Sequence, residues 1–343
     1  MPFIEHADYQ APFWLPEGHS QTIFPSIFRK VEGVHYVRER INTLDGDFLD
    51  LDISKGLREL GLNNSKIEHT TTPITEYRTS KNEKRPLVIL SHGLEGNSTR
   101  QYIMGMVKNF NAHGFDCLAW NFRSCSEEIN QTKRFYHSGA TEDLDAVVKH
   151  SISNGYQKIY LVGFSLGGNL TLKFLGEKGQ NLYPEVQKAV VFSVPLHLSS
   201  SSKTISWLYD QRFIRSLNKK VEAKAKRFPE FEINTSNISK IKNLKDFDDE
   251  YTSQLHGFKD AEDYYEQNSS LYFLDSINIK TLIINAKNDP FLSKECFPSE
   301  QVKHLEKVYL QTPEGGGHCG FYPVDYQGVL WSERRALEWI LGE

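Results

Sequence analysis

A serine held between glycines, at the point where an apolar run gives way to a helical one, constrains this chain more than any other feature. Gly163-Phe164-Ser165-Leu166-Gly167-Gly168 follows the run Lys158 to Val162 and opens a helical stretch from Gly167 to Gly176. A strand that turns at once into a helix presses its backbone against its neighbours, so small residues are needed on both sides of the turn residue. The side chain of that residue is then held out at the helix N-terminus. Gly163 and Gly167 supply the room, and Ser165 is the residue presented. Taken alone, the pattern would also suit a glycine-rich turn with an idle serine, but the strand before it and the helix after it favour a nucleophile elbow.

The rest of the chain repeats the same alternation. Pro86 to Leu90 is apolar throughout, as expected of a strand buried on both faces. A helix from about Ser98 to His113 and a strand through Phe115 to Trp120 follow it. Thr141 is placed to cap a helix whose Leu144, Val147, Val148 and Ile152 form one stripe. Further strands are expected at Lys158 to Phe164, Lys188 to Val194, Lys280 to Ala286 and Lys307 to Gln311, with a last helix near Glu333 to Leu341. Before this series, Val34 to Ile53 reads as short antiparallel strands around the turn Asp45-Gly46-Asp47, and Thr79 to Arg85 as a solvated turn. Residues 1 to 35, rich in aromatics and prolines, carry little helix or strand signal and suit a segment lying over a core. The pattern implies a mostly parallel sheet with helices on both faces.

Residues 196 to 270 interrupt the rhythm with helical stretches and no buried strand, too long for a plain connection. They are read as a cap inserted within a single domain spanning 1–343, with Ser199 to Ser202 making a turn. An insertion after the strand Lys188 to Val194 emerges at the sheet edge that presents Ser165 and would roof it. Trp207, Leu208, Phe213, Ile214 and Leu217 have roughly helical spacing there, and core packing is their leading role. A face carrying the first four could also shield an acyl chain from water.

A serine hydroxyl needs a base, and the base needs an orienting carboxylate. Of the twelve histidines, His318 in Glu314-Gly315-Gly316-Gly317-His318-Cys319-Gly320 lies just past the last strand, where flanking glycines let a loop carry the ring over the sheet edge. His137, His197, His256 and His304 read as structural or solvated. Asp289 follows the strand before, in Lys287-Asn288-Asp289-Pro290, although Asp-Pro also simply begins turns. The order Ser165, Asp289, His318 is that of the α/β-hydrolases. Oxyanion donors would come from the backbone N–H of Leu94, in the loop His92-Gly93-Leu94-Glu95-Gly96, and from that of Leu166. His92 is assigned a structural role.

Together these segments resemble the YheT-like family of α/β-hydrolases, whose members are serine esterases, lipases and acyltransferases. The resemblance is carried by Leu15 to Ile23, His92 to Gly96, Asn121-Phe122-Arg123 through Cys125, Tyr136 to Gly139, the elbow, and Asn285 to Phe291. It implies the α/β-hydrolase fold and catalytic positions at Ser165, Asp289 and His318. Two departures stand out. Ser124 occupies a position usually held by glycine, which would alter a loop near the site, and Asn288-Asp289 replaces the usual pair of aspartates.

Composition narrows the alternatives. With 40 Lys+Arg against 44 Asp+Glu, the formal charge of −4 offers no basic excess for nucleic acid. No apolar run reaches the roughly 18 to 20 residues of a membrane helix. The first residues lack a secretory leader, and four cysteines without paired spacing read as reduced thiols, so a cytoplasmic address is expected. No zinc, nucleotide or dinucleotide motif is present, Asp246 to Glu250 reads as a solvated acidic turn, and no cofactor or metal is implied. The expected activity is hydrolysis of carboxylic esters with short to medium acyl chains through an acyl-serine. The substrate would be a small-molecule ester or lipid-like compound. An alcohol acyltransferase using the same residues and a non-catalytic ligand-binding protein are the alternatives. Oligomeric state does not follow from the sequence.

Overall fold

Strands that are apolar on both faces must be covered on both faces. The computed structural model, which describes residues 3–4, 7–56, 85–323, 325 and 328–342, shows how this is done. In chain order the elements are β1 (Phe3–Ile4), α1 (Gly18–Phe28), β2 (Val37–Asn42), β3 (Phe48–Ser54), β4 (Leu87–Ser91), α2 (Gln101–Ala112), β5 (Asp116–Asn121), α3 (Thr141–Ser153), β6 (Ile159–Phe164), α4 (Leu166–Lys178) and β7 (Val186–Phe192). Next come α5 (Leu198–Thr204), α6 (Trp207–Arg227), α7 (Leu244–Phe247), a π-helical turn (Asp248–Thr252), α8 (Ser253–His256) and α9 (Ala261–Asn268). The chain finishes with β8 (Lys280–Ile284), α10 (Ser299–Val302), β9 (Val308–Gln311) and α11 (Trp331–Leu341).

The nine strands form one sheet in the order β1-β9-β8-β7-β6-β4-β5-β3-β2. The pairs β2·β3 and β3·β5 are antiparallel and the rest parallel, so the expected mostly parallel sheet with an antiparallel edge is present. Alternate strand residues feed two cores. Ile89, Leu161, Val191 and Ile283 pack with Leu144, Val147 and Val148 of α3 and Leu170 of α4. Leu90, Val162, Val190 and Ile284 pack with Met106 and Phe110 of α2 and Leu337 and Ile340 of α11. Each such aliphatic side chain contributes about 1.5–3 kcal/mol when fully buried.

Register sets the site. Ser91 pairs with Gly163, Phe164 with Phe192, Phe192 with Ile284, and Ile284 with Gln311. Five parallel strands, β4, β6, β7, β8 and β9, therefore end at nearly one level, and the loops leaving them meet above one edge.

Several local expectations change. The described residues among 1 to 35 hold more regular structure than their composition suggests, because α1 forms despite Pro25 in its interior. Its first turn is closed by Ser20, whose hydroxyl donates to Glu17 O (2.7 Å) and accepts from Glu17 N (3.3 Å). Thr141 does not cap α3. It is the helix's first residue, and its hydroxyl donates to Glu177 Oε2 (2.6 Å). β7 begins and ends two residues before the expected strand, since Ser193 leaves the extended region (φ 52°). Ser199 to Ser202 lie in α5, whose N-cap His197 accepts from Ser200 N, and Asp246 to Glu250 are helical rather than a turn. The turn expected at Thr79 to Arg85 falls, Arg85 apart, outside the described residues. Among the described residues no helix is long and apolar enough to cross a membrane.

Candidate active site

Ser165 stands between β6 and α4 with φ 53° and ψ −120°, a conformation that side-chain-bearing residues seldom adopt. Its N–H donates to Phe192 O (2.9 Å), and its carbonyl accepts from Gly168 N (2.9 Å) and Asn169 N (3.0 Å), which holds the turn from both sides. A Cβ at Gly163 would lie 2.7 Å from Gly167 O, and one at Gly167 would lie 2.4 Å from His92 O. The two glycines therefore permit the close approach for which the sequence pattern was read.

The serine Oγ lies 2.9 Å from His318 Nε2, and His318 Nδ1 lies 2.9 and 3.0 Å from the two carboxylate oxygens of Asp289. Asp289 Oδ1 also accepts from Phe291 N (2.9 Å), and the Phe291 ring stacks on the imidazole at 4.0 Å. Burial opposes charge on His318, but the adjacent Asp289 carboxylate outweighs it and moves the imidazole's pKa upward.

What holds the histidine loop in place was not foreseen. Gln21 of α1 accepts from Gly316 N (2.6 Å) and from Asn288 Nδ2 (3.1 Å) while donating to Leu15 O (2.7 Å). Thr22 Oγ1 accepts from His318 N (2.8 Å), and Asn288 Oδ1 accepts from Gly317 N (3.0 Å). Asn288 thus donates and accepts at once, which a carboxylate in its place could not do. Gly317 sits at φ 58°, and a Cβ there would meet Thr22 N at 2.8 Å. The only sequence signal for this strut was the stretch Leu15 to Ile23, noted for its resemblance alone.

The loop after β4 runs beside the serine, since a Cβ on Gly93 would be 3.2 Å from Ser165 Cβ. Leu94 and Leu166 both line the cavity that contains Ser165, and among the described residues neither amide has a hydrogen-bond acceptor. Leu166 opens α4, where the first N–H groups have no partner within the helix. Glu95, at φ 53°, is clamped. Tyr136 Oη accepts from its N–H (3.0 Å) and donates to its Oε1 (2.8 Å), Lys220 Nζ donates to Oε1 (2.7 Å), and the Ser216 hydroxyl donates to Oε2. Two of these contacts come from α6, so the loop beside Ser165 is tied to the insert.

His92 is buried with both ring nitrogens used. Nε2 accepts from Phe122 N (3.1 Å), which leaves Nδ1 as the donor to Gly93 O (2.8 Å), and burial lowers its pKa to about 3. His137 accepts from Gly139 N (3.2 Å) and lies 4.4 Å from the His256 ring, while His304 is exposed. Ser124 adopts φ 63°, the conformation that favours glycine, and its hydroxyl is bonded to Asn130 Oδ1 (2.5 Å). It does not line the cavity; it lies two residues beyond Phe122, whose N–H holds His92.

The cavity over Ser165 measures about 660 Å³ and is bounded by α1, the loop after β4 and the helices between β7 and β8. Phe213 and Leu217 line it, whereas Ile214 does not, although it shares with Leu217 the buried stripe Asp210, Ile214, Leu217, Val221 and Lys224 of α6. Trp207, seven residues before Ile214, continues that stripe yet is exposed in the first turn, and Leu208 lies off it and is exposed, so the expected four residues do not form one covered face. Asp248 also lines the cavity. Burial pushes its carboxyl up to about 6 even though Thr252 and Tyr265 donate to it, and sequence reading had placed it in solvent.

Residues 86–323 match the family model for the alpha/beta hydrolase fold. The chain is 31% identical over 329 residues to YheT of Escherichia coli (strain K12), covering 94% of this chain and 89% of that one. The chain belongs to the α/β-hydrolase family. Within it, the sequence is also 29% identical over 318 residues to phospholipase ABHD3 of Homo sapiens, covering 91% of this chain and 73% of the relative. Among solved structures, an esterase of Pyrococcus furiosus superposes with a TM-score of 0.55 at 18% identity, covering 91% of this chain and 95% of that one, a likeness of fold.

Proposed function

We propose that the protein is a serine hydrolase that cleaves carboxylic esters of short to medium acyl chains through an acyl-Ser165 intermediate. The reading is carried by the row Asp289–His318–Ser165, in which each side chain is within hydrogen-bond distance of the next. His318 Nε2 takes the serine proton as Oγ attacks the ester carbonyl, and Asp289 stabilises the imidazolium that results. The carbonyl oxygen becomes an oxyanion received by the N–H groups of Leu94 and Leu166. Collapse expels the alcohol, which leaves with the proton from His318. A water then attacks the acyl group, giving its proton to His318, and the second intermediate collapses by breaking its bond to Oγ, which takes that proton from His318 as the acid leaves. Similarity in sequence to relatives named as an esterase and a phospholipase supports an ester of a small molecule or lipid as substrate.

In this reading residues 1–343 act as one domain and 196–270 as its cap. The four cysteines, all free and buried, support a reducing, cytoplasmic setting. The test is incubation with an active-site serine phosphonate followed by peptide mapping. The adduct is expected on Ser165 and absent after Ser165→Ala, and an adduct on another serine would overturn the assignment.

A further inference from the structure

Ten large apolar side chains among the described residues are exposed, and seven of them lie on or beside α1 and at the start of α6, two helices that contribute residues to the wall of the Ser165 cavity. Five are on or beside α1. Ile23 both lines the cavity and is 42% exposed, which places it on the rim, and Ile27, one turn on, is 60% exposed. Phe28 is 64% exposed and continues through Phe24 to Trp14 by ring contacts of 4.9 Å each, with Phe13 beside Trp14. The remaining two, Trp207 (67%) and Leu208 (72%), begin α6. The helices meet at this point, because His19 of α1 stacks on Tyr209 of α6 at 5.7 Å and their polar atoms lie 3.1 Å apart.

A second feature shares the face. Leu208, Arg212, Arg215 and Lys219 fall at i, i+4, i+7 and i+11 of α6 and are all exposed, forming a stripe that is apolar at the rim and cationic beyond it. None of the three cations has a carboxylate within ion-pair distance among the described residues, although most other basic side chains of the sheet and its helices do. Arg212 also lines the cavity mouth. Exposed tryptophans and aliphatic side chains on two adjoining helices, with arginines that have no carboxylate partner among the described residues, are the composition that rests at a lipid–water boundary, and anionic headgroups complement the cations.

We propose that this face docks on an anionic lipid surface and turns the mouth of the Ser165 cavity towards it. The apolar residues of α1 and the start of α6 enter the headgroup boundary, and Arg212, Arg215 and Lys219 meet the acidic headgroups. A lipid-borne substrate could then enter the cavity without crossing water.

The test is co-sedimentation of the full chain with vesicles of phosphatidylcholine alone and with about 30 mol% phosphatidylglycerol added, at about 0.1 M salt and again at about 1 M. The Ser165→Ala protein is run in parallel, so that binding is read without turnover and stands or falls apart from the hydrolase reading. Sedimentation with the anionic vesicles and release at high salt are expected. Each cation near such a surface is worth roughly fivefold in affinity, so Arg215→Glu with Lys219→Glu should weaken binding at least about tenfold. Ile27→Ser with Phe28→Ser should weaken it similarly. None of these four residues lines the cavity, so hydrolysis of a water-soluble ester should be unchanged in both variants. Failure of the wild-type protein to sediment with anionic vesicles would overturn the proposal, as would unaltered binding of the doubly reversed variant. Self-association abolished by Ile27→Ser with Phe28→Ser, in a protein that ignores vesicles, would assign the face to a second copy and also overturn it.

Discussion

Ser165 keeps a strained backbone because its N–H and carbonyl are both engaged and because glycines on either side leave space for the turn. On the proposed mechanism, Ser165→Ala lowers kcat by about 10⁶ while the fold persists, as active-site titration and circular dichroism would show together. The charge on His318 gives a second prediction. The imidazole acts as a base only when neutral, and Asp289 raises its pKa above the usual 6.5 against the effect of burial. Activity should therefore climb with pH through a midpoint above 6.5. Asp289→Asn should move that midpoint down and lower kcat by roughly 10⁴. A midpoint that stays in place in the pH profile of kcat/KM would show that Asp289 does not govern the proton. For folding the sign is opposite: stability from the His318–Asp289 pair is complete below the unfolded pKa and is lost as pH rises through the folded one. Ser165, Asp289 and His318 were legible in the sequence because each follows a strand end and their order is restrictive. Gln21, Asn288 and Glu95 were not, because an amide or carboxylate declares its role only through its partners. The partner of Gln21, Gly316, is 295 residues away.

At the scale of elements, strands and sheet-covering helices could be read from periodicity, while α1 could not, since Pro25 and a run of aromatics hide a helix whose purpose is contact. Removing the Gln21 side chain leaves Gly316 N–H and the Asn288 amide without an acceptor in a buried setting. Gln21→Ala should cost about 1–3 kcal/mol in urea unfolding, with a fall in kcat as the His318 loop loosens. An unchanged kcat in a folded variant would show that the loop keeps its position without α1. The tie between Glu95 and α6 permits a double-mutant cycle. Glu95→Gln leaves the largely buried Lys220 without its carboxylate, and kcat should drop roughly tenfold or more if the Leu94 amide shifts. Adding Lys220→Met should recover stability without restoring kcat, because the unpaired ammonium is gone but the clamp is still open. Recovery of both would mean that only the stray charge mattered. The first turn of α6 shows the limit of periodicity. Trp207 and Leu208 share a helix with Ile214 and Leu217, but where each points depends on what the rest of the molecule sets against it.

At the scale of the whole molecule, the sheet brings five loops to one edge and the helices between β7 and β8 close over them, leaving about 660 Å³ above Ser165. If that space receives the acyl chain, each buried methylene adds about 0.8 kcal/mol, close to fourfold in affinity. Then kcat/KM over p-nitrophenyl esters from about two to sixteen carbons, a span suited to a cavity of this size, should rise from acetate, pass a maximum and fall. A steady decline from acetate onward would show that the acyl group lies elsewhere. The strut from α1 has a different consequence, one of timing. β1 pairs with β9, and residues 21 and 22 hold the loop that carries residue 318, so α1 waits for partners synthesised 295 residues after it. A growing chain can complete β6 and its elbow while the ring destined for Ser165 is still unmade. On the proposed mechanism the hydroxyl thus stays inert until residue 318 has been made, and nascent or truncated chains that lack its loop should not attack the esters around them.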